Sequence, residues 1–229
     1  MHLADRLERL EGRKGAAIVL GIGFGAATLI GLVIGLLARV GQQSIDVPLY
    51  DWLVRNYRRG TTWTEWNEAF TQLGDPLPSL WQTLAATVVF AVFFGRRWLI
   101  PTILLPLGLA YEYGLQQVLG RIVDRGHPDF GSGTYFSGGS ARFVVLYGLI
   151  LFLVLLRWPS ISRRWRIFGA IIVAILAFIE GVTRLYLLKH WPTDIPAGWL
   201  IGTLILGTIV AATLIVVQPR GRPSIPSAR

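Results

Sequence analysis

The chain contains no cysteine, which removes disulfides, thiol nucleophiles and zinc–thiolate centres at once. Its histidines are His2, His127 and His190, too few for a multi-histidine metal site, and neither a metal nor another cofactor is expected. Charged residues make up only 15% of the sequence, against 53% hydrophobic residues. That balance fits poorly with a soluble enzyme, a disordered tail or a nucleic-acid-binding domain. The charge that is present leans to one sign, with 22 Lys+Arg against 13 Asp+Glu. In a soluble protein this excess would suggest nucleic acid. Beside long apolar runs it reads as topology, with arginines flanking spans on the cytoplasmic side and the remainder available to anionic lipid or phosphate.

Several apolar runs approach or exceed the roughly 20 residues that cross a bilayer core. The first, 16–40, is too long for a signal-peptide core and lacks a small-residue cleavage site after it, so it reads as an uncleaved span. Within it Gly21/Gly25 and Gly31/Gly35 have the four-residue spacing that permits close helix packing. Residues 41–78 are polar and rich in tryptophan and tyrosine, with two short amphipathic stretches suited to helices lying at the membrane surface. Further spans are expected at 79–95, 98–119, 143–156, 167–188 and 195–217. The expected fold class is all-α: an integral membrane six-helix bundle with short interfacial helices between spans one and two. The segments are 1–14, a cytoplasmic N-terminal stretch; 15–217, the membrane domain; and 218–229, a flexible basic tail. Six spans and the distribution of Lys and Arg put both termini in the cytoplasm, with the loops 41–78, 120–141 and 189–194 facing outward.

Two of those outward loops hold the residues capable of chemistry. One carries Arg121, Arg125, His127 and Pro128, followed by Ser137-Gly138-Gly139. The other reads Thr183-Arg184, five residues, His190, three residues, Asp194. Arginine forks and the backbone N–H groups of a Ser-Gly-Gly turn make a cradle for phosphate. A carboxylate at Asp194 can bond one ring nitrogen of His190 and leave the other free as a nucleophile or base. If the helix carrying Arg184 continues, Arg184 and His190 reach the same anion. No carboxylate cluster suggests a metal. The chemistry alone points to phosphoryl transfer through a phosphohistidine. Two intramembrane carboxylates need partners: Glu180, four residues before Arg184 on the same helix face, and Glu112.

This pattern resembles the membrane lipid-phosphatase branch of the type-2 phosphatidic acid phosphatase superfamily, which also includes vanadium haloperoxidases. That family carries the motifs K-x6-R-P, P-S-G-H and S-R-x5-H-x3-D. Thr183, Arg184, His190 and Asp194 match the third with its spacing and a threonine for the serine. The six-span layout extends the resemblance over nearly the whole chain. In the first motif Pro128 sets the register, so that His127 stands where the family has arginine and Gly120 where it has lysine. In the second, Phe136-Ser137-Gly138-Gly139 replaces P-S-G-H. The resemblance implies a histidine nucleophile at His190, its orienter at Asp194 and a phosphate clamp at Arg184. Arg121 and Arg125 are placed to supply the charge missing from the first motif, and Ser137, Gly138 and Gly139 to supply amides. The family's general acid does not carry over, because Gly139 stands in its place.

Three consequences of that missing acid remain open at the level of sequence. His127 replaces it from the neighbouring loop; or the leaving group is a phosphate, as in a polyprenyl diphosphate, and needs no proton; or the cradle only binds or moves its lipid. The expected function is therefore hydrolysis of a lipid phosphate or polyprenyl diphosphate, the alternative being a catalytically impaired lipid-phosphate binder or transporter. The expected partners are a phosphorylated membrane lipid and the bilayer; a homodimer is compatible with the chain, and nucleic acid is not expected. The expected location is a bacterial cytoplasmic membrane with the site facing outward.

Overall fold

The chain folds into helices whose ends are set by local signals, as seen in a computed structural model that describes residues 3–128 and 133–217. The tail expected at 218–229 lies outside the described residues. Helix α1 spans Leu3–Gly41 and runs through a π-helical turn, Gln42–Asp46, into α2, Val47–Asn56. Helix α3, Thr62–Thr71, begins where the Thr61 hydroxyl accepts from the Thr64 N–H at 3.2 Å. A 3₁₀ turn, Gln72–Gly74, leads to α4, Pro76–Phe94, which starts on Pro76, a position where the missing N–H costs nothing. Helix α5, Leu99–Val123, ends in a left-handed residue, Asp124. Helices α6, Gly138–Arg157, α7, Arg163–Tyr186, and α8, Asp194–Val217, complete the bundle.

Among the described residues there is no strand, and α2 and α3 are the short helices expected between the first two long ones. Five helical stretches, containing α1, α4, α6, α7 and α8, are long and apolar enough to cross a membrane. Helix α5 is equally long and carries Glu112, Gln116 and Gln117, which lower its apolar character. It packs against α1, α4, α6 and α8. The chain is thus an all-α membrane bundle of five such helices with α5 packed among them.

Burial separates a packed interior from an apolar rind. Leu105, Leu119, Leu149, Leu153, Ile201, Ile205 and Ile209 form the centre of the core. Ile18, Ile22, Leu29, Val88, Val92, Ile171 and Phe178 are exposed on the outside, the arrangement expected of a surface that meets hydrocarbon. The two glycine pairs of α1 have different surroundings. A Cβ on Gly31 would lie 2.7 Å from Leu119, and one on Gly35 would lie 2.5 Å from Val123 and 2.6 Å from Tyr135. Gly21 and Gly25 have nothing within 4 Å. Only the second pair lets helices approach closely, and the Tyr135 hydroxyl uses that proximity to donate to the Gly31 carbonyl at 2.7 Å.

Gly35→Leu should therefore destabilise the bundle by about 1–3 kcal/mol through overpacking, while Gly21→Leu should be neutral. Thermal unfolding in detergent, followed by tryptophan fluorescence, distinguishes the two.

Candidate active site

Helix α7 does not continue as far as His190. It stops at Tyr186, and the chain reverses through Leu188, a left-handed residue with φ of 58°. The Leu187, Leu188 and Lys189 N–H groups satisfy the last carbonyls, donating to Thr183, Leu185 and Arg184 at 2.9, 3.0 and 3.0 Å. Arg184 and His190 therefore do not share a helix face. His190 is carried by the turn that feeds α8, whose first residue is Asp194.

His190 and Asp194 are both buried, with Nδ1 of the ring 3.6 Å from Oδ2 of the carboxylate. Nδ1 has no hydrogen-bond partner at that distance. Oδ2 instead accepts from the Trp191 N–H at 3.2 Å, which fixes the carboxylate beneath the ring. Gly133 backs onto His190: a Cβ there would lie 2.5 Å from Nδ1, and the Gly133 N–H donates to the Lys189 carbonyl at 3.1 Å. Burial lowers the imidazole below its ordinary value of 6.5; Asp194 opposes this, and the charges of Arg184 and Arg142 add to it. The ring is thus held neutral near pH 7, the form a nucleophile needs.

The π turn places Asp46 at the centre of the outer half of the site. Asp46 is buried and accepts from the Thr193 N–H and Thr193 hydroxyl, each at 2.8 Å, and from Arg125. Arg125 also donates to the Thr193 hydroxyl at 2.9 Å and meets Asp194 Oδ1 at 3.3 Å. One guanidinium so joins the end of the first long helix, the loop after α5 and the start of α8. The sequence singled out Arg125 and Asp194 but missed Asp46, whose only signal is an acid just after an apolar run. A π turn inside a long helix often marks a functional site, but nothing in the local sequence announces this one.

The inner half of the site is built on the carbonyl end of α3. Arg184 Nη2 donates to the Thr71 carbonyl at 2.9 Å, and Arg142 Nε to the Gly74 carbonyl at 3.0 Å. These are acceptors that a helix C-terminus leaves unpaired. Arg184 also pairs with Glu180 at 2.7 Å and Asp75 at 2.8 Å. Arg142 pairs with Glu112 at 3.5 Å and lies 3.4 Å from the Gln116 side-chain oxygen. The partner foreseen for Arg184 is thus present, and Glu112 has found an arginine. Arg142 was not foreseen, because it lies one residue before the span expected at 143–156; in the structure it is inside α6.

The Ser-Gly-Gly turn caps α6 beside these arginines. Ser137 is buried; its N–H donates to the Asp194 carbonyl at 3.0 Å, and its hydroxyl lies 2.9 Å from that of Ser140. Gly138 packs on Gln116, and a Cβ on Gly139 would lie 2.5 Å from both Nε and Nη2 of Arg184. His127 and Arg121 are not brought into this cluster. Both are exposed, and His127 Nδ1 lies 3.1 Å from its neighbour's carbonyl at Pro128. No group of acidic or histidine residues among those described has the arrangement of a metal site.

Taken together, Arg125, Arg142 and Arg184 each face at least one carboxylate, drawn from Asp46, Asp75, Glu112, Glu180 and Asp194. The resting cluster thus holds each arginine against carboxylate, while Arg125 Nε is left without a partner.

Residues 128–217 match the family model of the PAP2 superfamily. A curated relative, phosphatidylglycerophosphatase B of Bacillus subtilis, is 27% identical over 119 residues, 49% of this chain and 57% of the relative. The match therefore spans little more than half the length of that relative. The crystal structure of a transmembrane PAP2-type phosphatidylglycerolphosphate phosphatase from Bacillus subtilis superposes with a TM-score of 0.71, covering 86% of this chain and 98% of that one at 23% identity. At that identity the superposition establishes the common fold.

Asp46→Ala would leave Arg125 buried without its main partner and should cost about 3–5 kcal/mol. Thermal unfolding in detergent should show a large loss for it and none for Glu65→Ala, whose side chain is exposed.

Proposed function

We propose that this chain, a PAP2-superfamily protein, is an integral membrane phosphatase that removes phosphate from a lipid phosphate or polyprenyl diphosphate through a phosphohistidine on His190. The observation that carries this reading is the buried pairing of His190 with Asp194, at the head of α8 and against the Ser137 turn. Asp194 faces Nδ1 and so assigns attack to Nε2. The contact is long in the resting site and tightens when the ring becomes positive in the transition state. Arg184 and Arg125 exchange carboxylate partners for phosphate oxygens, and the Gly138–Ser140 amides at the start of α6 add donors to the developing charge. Water then attacks the phosphohistidine and frees the ring. The termini lie in the cytoplasm, and the site opens to the outer face of a bacterial cytoplasmic membrane.

A second reading, a lipid-phosphate binder or transporter, is favoured by one observation: every buried arginine of the site already holds a carboxylate. Such a site exchanges an anion readily and need not break a bond. Phosphate release by detergent-purified protein separates the readings. Phosphatidic acid, phosphatidylglycerol phosphate, a polyprenyl phosphate and a polyprenyl diphosphate form the panel, each run beside His190→Ala. Release that vanishes in the variant supports the phosphatase, and no release from any substrate supports the binder.

The pH profile provides an independent check. Because burial lowers the His190 imidazole below 6.5, the reactive neutral ring persists to more acid pH than in a free histidine. The acid limb of kcat/KM should fall below that value. An acid limb above it that disappears with Asp194→Asn would contradict the assignment.

A further inference from the structure

Resting on the phosphatase reading, we infer that Glu180 is the general acid of the reaction, standing in for the histidine absent at position 139, and that the substrate arms it by drawing Arg184 away. A Cβ on Gly139 would lie 2.6 Å from Glu180 Oε1. The Glu180 carboxyl therefore fills the space that a side chain at 139 would enter. Gly74 closes the slot from the other side, where a Cβ would lie 2.8 Å from Glu180 Cδ and 3.0 Å from Arg184 Nη2. Two glycines on separate elements make room for one buried carboxyl and its arginine.

In the resting site Glu180 is fully buried and its Oε1 accepts from Arg184 Nε at 2.7 Å; Oε2 has only Thr183 Oγ1 at 3.4 Å. A phosphate at the head of α6 competes for the same guanidinium, and a phosphate accepts both prongs of the fork where Glu180 accepts one. Once Arg184 turns to the phosphate, Glu180 is a buried carboxylate without a cation, a state that is stable only after taking a proton from water. The acid thus forms where and when substrate is bound. His190 Nε2 then forms its bond to phosphorus as the bond from phosphorus to the lipid oxygen breaks. That oxygen takes the Glu180 proton and leaves as the alcohol. In the second half, water attacks phosphorus, the phosphorus–nitrogen bond breaks, and the water's proton returns to the Glu180 carboxylate as inorganic phosphate departs.

Glu180 acts on the leaving group, and this separates it from a residue that merely positions Arg184. A lipid alkoxide needs a proton to leave, whereas the phosphate expelled from a diphosphate does not. Glu180→Gln keeps an acceptor for Arg184 and removes the acid together with the carboxylate charge, a loss of charge that bears on both substrates alike. It should lower kcat on phosphatidic acid by about 10²–10⁴-fold and kcat on a polyprenyl diphosphate by less than roughly tenfold. Gly139→His alone collides with Arg184 and Glu180 and should not help. In Gly139→His combined with Glu180→Ala the carboxyl is gone and Arg184, 2.5 Å from the new Cβ, is released to swing to the phosphate; this variant should return phosphatidic acid hydrolysis to within roughly tenfold of wild type. The inference is overturned by a Glu180→Gln effect equal on both substrates, by none on either, by a double variant as poor as Glu180→Ala, or by a wild type that hydrolyses only the diphosphate. Absence of His190-dependent release in the wild type would instead defeat the phosphatase reading itself, and this inference with it.

Discussion

An arginine inside an apolar bundle has to be met by acceptors, because a lone charge there is costly, and three arginines meet that requirement within one region of this chain. Arg125 is held by Asp46 and Asp194, Arg142 by Glu112 and the Gly74 carbonyl, and Arg184 by Glu180, Asp75 and the Thr71 carbonyl. Each set draws on elements far apart in the sequence. The π turn after α1, the carbonyl end of α3, the heads of α6 and α8 and the end of α7 are all fixed by these contacts. Apolar packing makes the bundle, but the arginine contacts decide how the end that carries the site is arranged.

The same constraint shapes the chemistry. A site whose cations are already paired is stable in the absence of ligand, and it binds an anion by exchange of partners. This suits a phosphorylated headgroup, which offers more acceptor oxygens than any one carboxylate it replaces. It also ties binding to protonation, since each displaced carboxylate is left in a place where charge is unfavourable.

Much of the fold was legible in the sequence because bilayer crossing imposes length and apolarity on each helix. The helices fall close to the expected runs, and the head of α6 lies upstream of its apolar stretch, at Gly138. The Thr183, Arg184, His190, Asp194 spacing was legible because these four residues lie within one short stretch, the end of α7, the turn after it and the head of α8, which the PAP2 match covers. What could not be read was long-range. Asp46 and Asp75 look like ordinary polar residues at the ends of apolar runs, and only folding brings them to Arg125 and Arg184. Whether the helix carrying Arg184 continues to His190 was open in the sequence; it does not, because Leu188 adopts a left-handed turn that a leucine gives no sign of. His127 and Arg121, drawn in by sequence proximity to Arg125, stay exposed on the surface.

A phosphatase that works through His190 has to carry the phosphoryl group on that residue during turnover. Rapid quenching of the enzyme with a radiolabelled lipid phosphate, followed by peptide mapping, addresses it directly. A phosphohistidine at this position gives a label that survives alkali, is lost in acid, and maps to the peptide containing His190. Turnover with no such label on that peptide, under conditions that slow hydrolysis of the intermediate, would contradict it.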